Sequence, residues 1–124
     1  MPKILICDDD KSIVSFLKAS LEFEGYAVVS TTDSREVLKL VLREKPDAVI
    51  LDFYMAGKGG LDVLAELRGN PATRSLPVLM LTGADRMENV EDAFSRGATG
   101  YITKPCDPDR LQKKVAAVLA PKPS

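Results

Sequence analysis

The sequence has no histidine, no tryptophan and only two cysteines, and no apolar run approaches the roughly 20 residues that cross a bilayer. Without histidine there is no Ser–His or Cys–His dyad, no histidine-ligated zinc site and no phosphohistidine carried by this segment. Cys7 and Cys106 lack CxxC spacing, which excludes a disulfide framework. Neither sign of charge dominates: 17 Lys+Arg stand against 18 Asp+Glu, a formal net charge of −1. The basic excess of a nucleic-acid-binding domain is therefore missing. The start runs straight into a strand-like segment without a signal-peptide h-region, so the expectation is a soluble cytoplasmic protein with no membrane partner. At 124 residues the chain fits one domain. A domain of that size buries roughly two-thirds of its unfolded surface, enough to need no metal or disulfide staple.

What is present is a series of short apolar runs that end on polar residues. Residues 3–7 (KILIC) stop at Asp8-Asp9-Asp10, residues 48–51 (AVIL) at Asp52, residues 77–81 (PVLML) at Thr82, and residues 101–103 at Lys104-Pro105. Residues 26–30 (YAVVS) form a fifth, weaker run. Runs without alternation suit strands buried on both faces, as in a parallel sheet. Helical patterns lie between them. Residues 12–24 place Ile13, Leu17 and Leu21 at i, i+4 and i+8, with Gly25 where a helix ends. Asp33 reads as an N-cap with Glu36 three positions on, a capping-box variant. The helix it opens carries Val37, Leu38, Val41 and Leu42 and stops before Pro46. Leu61, Leu64 and Leu67 mark a third helix, closed near Gly69-Asn70-Pro71. Residues 87–96 form a fourth, with Val90, Ala93 and Phe94 inward and Gly97 at its end. Asp107-Pro108 opens a fifth, with Leu111, Val115, Val118 and Leu119. The order is βα five times, which implies an α/β domain with a parallel sheet wrapped on both faces. That domain is expected over residues 1–120, with residues 121–124 as a frayed end or the start of a linker.

In open α/β sheets, ligands bind outside the carboxyl ends of the strands. Those ends carry Asp8, Asp9 and Asp10, then Asp52, Thr82 and Lys104. Asp10 reads as a helix N-cap. The remaining carboxylates repel one another, so their cleft should bind a proton or a cation. Oxygen ligands without histidine or cysteine select a hard metal, Mg²⁺ first. A carboxylate beside Mg²⁺ can attack phosphorus, while a hydroxyl and an ammonium suit the equatorial oxygens of the transferring group. Residues 55–60 (MAGKGG) are no P-loop, because aspartate occupies the first glycine position and no Ser/Thr follows the lysine.

With these residues in place, the sequence resembles the receiver domain of bacterial two-component response regulators, the CheY-like family. The segments KILICDDD, DAVILDFYM, PVLMLTG and GYITKP carry the resemblance, in order, over almost the whole chain. It implies a flavodoxin-like, doubly wound (βα)5 fold with a five-stranded parallel sheet in the order 2-1-3-4-5. Asp52 resembles the phosphoacceptor. Asp8 and Asp9 match the acidic pair that holds Mg²⁺ (with Mn²⁺ as a substitute), Asp9 directly and Asp8 through water. Tyr54 would add its backbone carbonyl. Lys104 matches the lysine that pairs with the phosphoryl group, or with Asp52 before phosphorylation. Thr82 matches the switch hydroxyl and Tyr101 the switch aromatic. Pro105 matches a proline preceded by a cis peptide.

The chain departs from the family in the loop after the acceptor. Met55 is followed by Ala56 where the family has proline, and Gly59 replaces an aspartate before Gly60. With Gly57, Gly59 and Gly60, the expectation is a loop less constrained than usual, slower to order on metal binding. Tyr54 and Ala84 occupy positions that in this family tune autodephosphorylation, and a bulky Tyr54 would obstruct the attacking water. Cys7 and Cys106 read as small buried hydrophobes on strands too far apart for a disulfide.

The implied function is a phosphorylation-operated switch rather than an enzyme acting on a metabolite. Its only chemistry would be self-phosphorylation from a donor and autodephosphorylation. The implied partners are a sensor histidine kinase or histidine phosphotransfer protein upstream and an output protein or domain downstream. The output surface would be the fourth helix, fifth strand and fifth helix, in a monomer or a phosphorylation-dependent homodimer. One alternative is a receiver-type interaction module that works without phosphorylation. Another is a haloacid-dehalogenase-type phosphatase, which would want an aspartate where Tyr54 stands.

Overall fold

The alternation seen in the sequence resolves into five strands: β1 (Lys3–Cys7), β2 (Ala27–Thr31), β3 (Ala48–Asp52), β4 (Val78–Gly83) and β5 (Gly100–Lys104). Five helices connect and follow them: α1 (Lys11–Phe23), α2 (Val37–Glu44), α3 (Gly60–Gly69), α4 (Met87–Ser95) and α5 (Pro108–Leu119). The computed structural model describes residues 1–83 and 87–119. Ala84 and the expected tail at residues 121–124 lie outside the described residues. All strands are parallel, in the order β2-β1-β3-β4-β5.

The central strands are buried on both faces, which is why their sequences are apolar without alternation. Every residue of β3 is buried, whereas the edge strand β2 is half-buried throughout. Successive side chains then divide between two cores. Leu5, Cys7, Val49, Leu51 and Met80 pack beneath α2, α3 and α4 with Val37, Val41, Val63, Leu64 and Leu67. Ile4, Ile6, Ile50, Leu79, Leu81 and Ile102 pack beneath α1 and α5 with Leu17, Leu21, Leu111 and Val115. Each fully buried aliphatic side chain contributes about 1.5–3 kcal/mol relative to exposure.

Helix ends follow local chemistry. Asp10 caps α1, its Oδ1 accepting from Ser12 N at 2.9 Å, and Asp107 Oδ1 accepts from Arg110 N at 2.8 Å at the start of α5. Gly25, at φ +95°, turns the chain out of α1 into β2. Three local expectations are corrected. The buried stripe of α1 is Val14, Leu17 and Leu21 rather than Ile13, Leu17 and Leu21. Steps of four residues drift about 40° around a helix, which leaves Ile13 half-buried at the edge of the stripe. Asp33 does cap, accepting from Arg35 N at 3.0 Å, but it opens a 3-10 turn (Ser34–Glu36) ahead of α2. Phe94 is not inward. It is 46% exposed, while Val90 and Ala93 are buried. Among the described residues no helix is long and apolar enough to cross a membrane.

Candidate functional site at the carboxyl rim of the sheet

β1 and β3 are neighbours, and the chain leaves β1 toward β2 on one side and β3 toward β4 on the other. A crevice therefore opens at their carboxyl ends. Asp8 and Asp9 follow β1, Asp52 is the last residue of β3, Thr82 lies near the end of β4, and Lys104 ends β5. Sheet register brings them level: Asp52 pairs with Leu81, and Thr82 with Thr103.

Lys104 is the hub. Its Nζ donates to Asp52 Oδ1 at 2.9 Å and lies 3.1 Å from Asp8 Oδ2. Asp8 is fully buried and Asp52 only 6% exposed, whereas Asp9 is exposed. The other oxygen of Asp8 accepts from Asp10 N at 2.9 Å. Carboxylate oxygens of Asp8, Asp9 and Asp52 all lie within 4.8 Å of one another. One ammonium does not neutralise three carboxylates. Burial, and then Asp8, push the Asp52 carboxyl up to about 6, with Lys104 opposing them. For Lys104 burial acts downward, but its bonds to Asp52 and Asp8 outweigh it and the net shift is upward.

The donor set suits a hard divalent cation. It offers only carboxylate oxygens, carries excess negative charge, and includes Asp8 Oδ2, a buried atom without a well-aligned hydrogen bond. The thiols nearby are not competing ligands. Burial, reinforced by Asp8, raises Cys7 to about 12, and burial also raises Cys106, so both stay protonated. Cys7 Sγ instead donates to Met55 Sδ at 3.4 Å.

A pH dependence follows from Asp52. A carboxyl whose folded pKa lies above its unfolded value of 3.8 stabilises the fold below that value. That contribution is lost as pH rises through about 6. In metal-free protein at pH 7.5, Asp52→Asn is therefore expected to be more stable than wild type. The gain is about 1–2 kcal/mol after allowance for water at the open rim. Urea unfolding at pH 7.5 and below pH 4 checks it, since the difference should vanish in acid. A variant less stable at both pH values would contradict the sign.

Thr82 is buried, and its Oγ1 accepts from Asn89 Nδ2 at 3.4 Å. The same Nδ2 donates to Tyr54 Oη at 3.2 Å, so Asn89 links the end of β4 to the loop that follows Asp52. The Tyr54 side chain is 56% exposed at that rim. Tyr101, three residues before Lys104 on β5, is half-buried away from this network. Its ring stands edge-on to Phe94 at 6.2 Å, and Lys114 Nζ lies 4.6 Å from its centroid. The Lys104–Pro105 peptide is cis, as the resemblance implied.

Sequence reasoning missed Asn89, a buried polar residue inside α4 that no motif marks. The glycine loop has constraints that residue types do not show. Only Gly57, at φ +78°, needs glycine for its backbone conformation. Gly60 is the first residue of α3, and a Cβ there would lie 2.2 Å from the Asp52 carbonyl oxygen. Three contacts hold the loop in this conformation: Ala56 N donates to Asp9 Oδ2 at 3.0 Å, Gly60 N to Phe53 O at 3.0 Å, and Lys58 pairs with Glu66 of α3.

Known proteins share both sequence and fold. The family model of the response regulator receiver domain matches residues 4–116. PhoP of Bacillus subtilis, the alkaline phosphatase synthesis transcriptional regulatory protein, is 38% identical over 117 residues, covering 94% of this chain and 48% of its own length. RpaA of Synechocystis, a DNA-binding dual master transcriptional regulator, is 35% identical over 119 residues, covering 96% of this chain and 49% of its own. The chain thus spans about half the length of these curated relatives. Among solved structures, the chemotaxis response regulator CheY4 of Vibrio cholerae superposes with a TM-score of 0.90 at 32% identity, covering 96% of this chain and 99% of that one. The receiver domain of NtrX from Brucella abortus superposes with a TM-score of 0.87 at 30% identity, covering 94% and 97%. A family match that runs from β1 into α5, on a sheet wound in the same order, means that this chain belongs to the response regulator receiver family.

Proposed function

We propose that the chain accepts a phosphoryl group on Asp52 from a phosphohistidine of a partner protein and uses it to switch a protein-binding surface. The observation that carries this reading is Lys104 bridging Asp52 and buried Asp8 at a rim where three carboxylates converge. An Asp52 oxygen attacks phosphorus, the new P–O bond replaces the P–N bond of the donor, and the imidazole leaves. Lys104 would exchange Asp52 for a phosphoryl oxygen, and the Thr82 hydroxyl would donate to another. Asp8, Asp9, Asp52 and the Tyr54 carbonyl would hold Mg²⁺. The ion supplies positive charge against the carboxylates and the incoming phosphoryl oxygens.

The modification adds nearly two negative charges to a crevice already rich in them. Thr82 is bonded to Asn89 of α4, so its movement would loosen that helix from the end of β4. Tyr101 lies between Phe94 of α4 and Lys114 of α5, and its inward packing would remodel the face formed by α4, β5 and α5. The phosphoryl group shifts this equilibrium only as far as it binds the two states differently. Beside Lys104 an apolar groove of about 480 Å³, lined by Ile13, Phe16, Pro105 and Cys106, suits the approach of a donor protein. The nearly balanced charge supports output through protein contacts rather than direct DNA contact. The exposed Tyr54 ring would slow hydrolysis by obstructing water.

Incubation with a small acyl phosphate, with and without Mg²⁺, tests the reading by intact mass. Wild type should gain one phosphoryl group only with the metal, and Asp52→Asn none. No adduct on wild type would leave an interaction module that works without phosphorylation. An equal adduct on Asp52→Asn would move the acceptor elsewhere.

A further inference from the structure

Ala56 contributes its main chain to the acidic site. Asp9 is exposed, in the turn between β1 and α1, and an exposed carboxylate on a turn samples several rotamers. Here one of its oxygens is held: Oδ2 accepts from the Ala56 amide at 3.0 Å across the crevice. A second contact joins the same two segments, two residues before Asp9 and one before Ala56, with Cys7 Sγ 3.4 Å from Met55 Sδ. The far side of the loop is fixed by Gly60 N on Phe53 O and by the Lys58–Glu66 pair. A proline at position 56 could make the sulfur contact next to it but not the amide contact, because it has no N–H.

We propose that the Ala56 N–H is a positioning group for the metal site, holding Asp9 in its ligating orientation and coupling the acceptor loop to cation binding. The inference rests on the reading of Asp8, Asp9 and Asp52 as the Mg²⁺ site. A carboxylate has two oxygens, so an amide on one leaves the other for the cation, and the amide fixes the rotamer before the cation arrives. The segment that lacks the proline is then the one that orients a ligand.

Magnesium titrations followed by NMR test this in four proteins. Ala56→Pro should weaken Mg²⁺ binding about tenfold, the scale of losing a group that orients a ligand. Ala56→Ser keeps the N–H and should bind as wild type does. Asp9→Ala and Asp52→Asn should both weaken binding strongly. Unchanged or tighter binding by Ala56→Pro, with Asp9→Ala and Asp52→Asn impaired, overturns the inference and leaves the metal site standing. Unimpaired binding by Asp9→Ala and Asp52→Asn takes down both. Amide exchange decides the matter if Ala56→Pro misfolds. The Ala56 amide should be protected in metal-free wild type and exposed in Asp9→Ala, and an unprotected Ala56 in wild type overturns the proposal.

Discussion

Gly60→Ala is expected to lower stability by about 3 kcal/mol, because the added methyl would have no room. Its Cβ would lie 2.2 Å from the Asp52 carbonyl oxygen and 3.0 Å from Phe53 Cα, both main-chain atoms. A third contact, Met80 Cε at 2.9 Å, is the end of a flexible side chain and can yield. The backbone atoms cannot yield without moving the acceptor residue, or without pulling α3 away and breaking the Gly60 N to Phe53 O bond. Against a total stability of roughly 5–15 kcal/mol, that loss is a large fraction. Gly57→Ala provides the contrast. Nothing lies within 4 Å of its added Cβ, but its φ of +78° costs about 1–2 kcal/mol for an L side chain. Urea unfolding of both variants separates the two causes. Equal, small losses would mean that α3 shifts more freely than its packing implies.

Gly60 also shows where sequence reasoning stops. The strand ends were legible because burial on both faces demands continuous apolar runs, and Asp8, Asp52, Thr82 and Lys104 interrupt those runs abruptly. Parallel order then places those interruptions on one rim, so the site could be assembled from residue types and their sequence alone. Helix faces were less legible. Ile13 and Phe94 sit next to buried positions, and apolar identity does not say on which side of a stripe's edge a side chain falls. Helix caps at Asp10, Asp33 and Asp107 were legible, but main-chain contacts between distant segments were not. Glycine at position 60 looks in sequence like freedom, while in the fold it is a close approach of two backbones. Alanine at position 56 looks like a missing proline, while in the fold it is a hydrogen-bond donor to Asp9. Both effects depend on distances between segments far apart in the chain, which residue types do not carry.

Lys104→Met is expected to act with the opposite sign to Asp52→Asn. Methionine keeps much of the apolar stem and removes the charge, so the comparison isolates electrostatics from packing. Fully buried Asp8 loses the ammonium 3.1 Å from its Oδ2, and Asp52 loses the donor at 2.9 Å. Removing one partner from a buried ion pair costs about 3 kcal/mol or more in metal-free protein at neutral pH. The pH dependence fixes the cause. Asp52 already titrates near 6 because burial and Asp8 outweigh Lys104, and without the lysine its carboxyl rises further. A carboxyl raised in the folded state stabilises at low pH and loses that contribution as pH rises through its folded pKa. The penalty should therefore be small at pH 5 and large at pH 8. A divalent cation replaces the missing charge, so millimolar Mg²⁺ should stabilise Lys104→Met more than wild type, by linkage to tighter binding. Unfolding curves at the two pH values, with and without Mg²⁺, read all of this. A loss equal at both pH values and indifferent to Mg²⁺ would mean that Lys104 acts through the packing of its stem, and that the three carboxylates tolerate one another without a counter-charge.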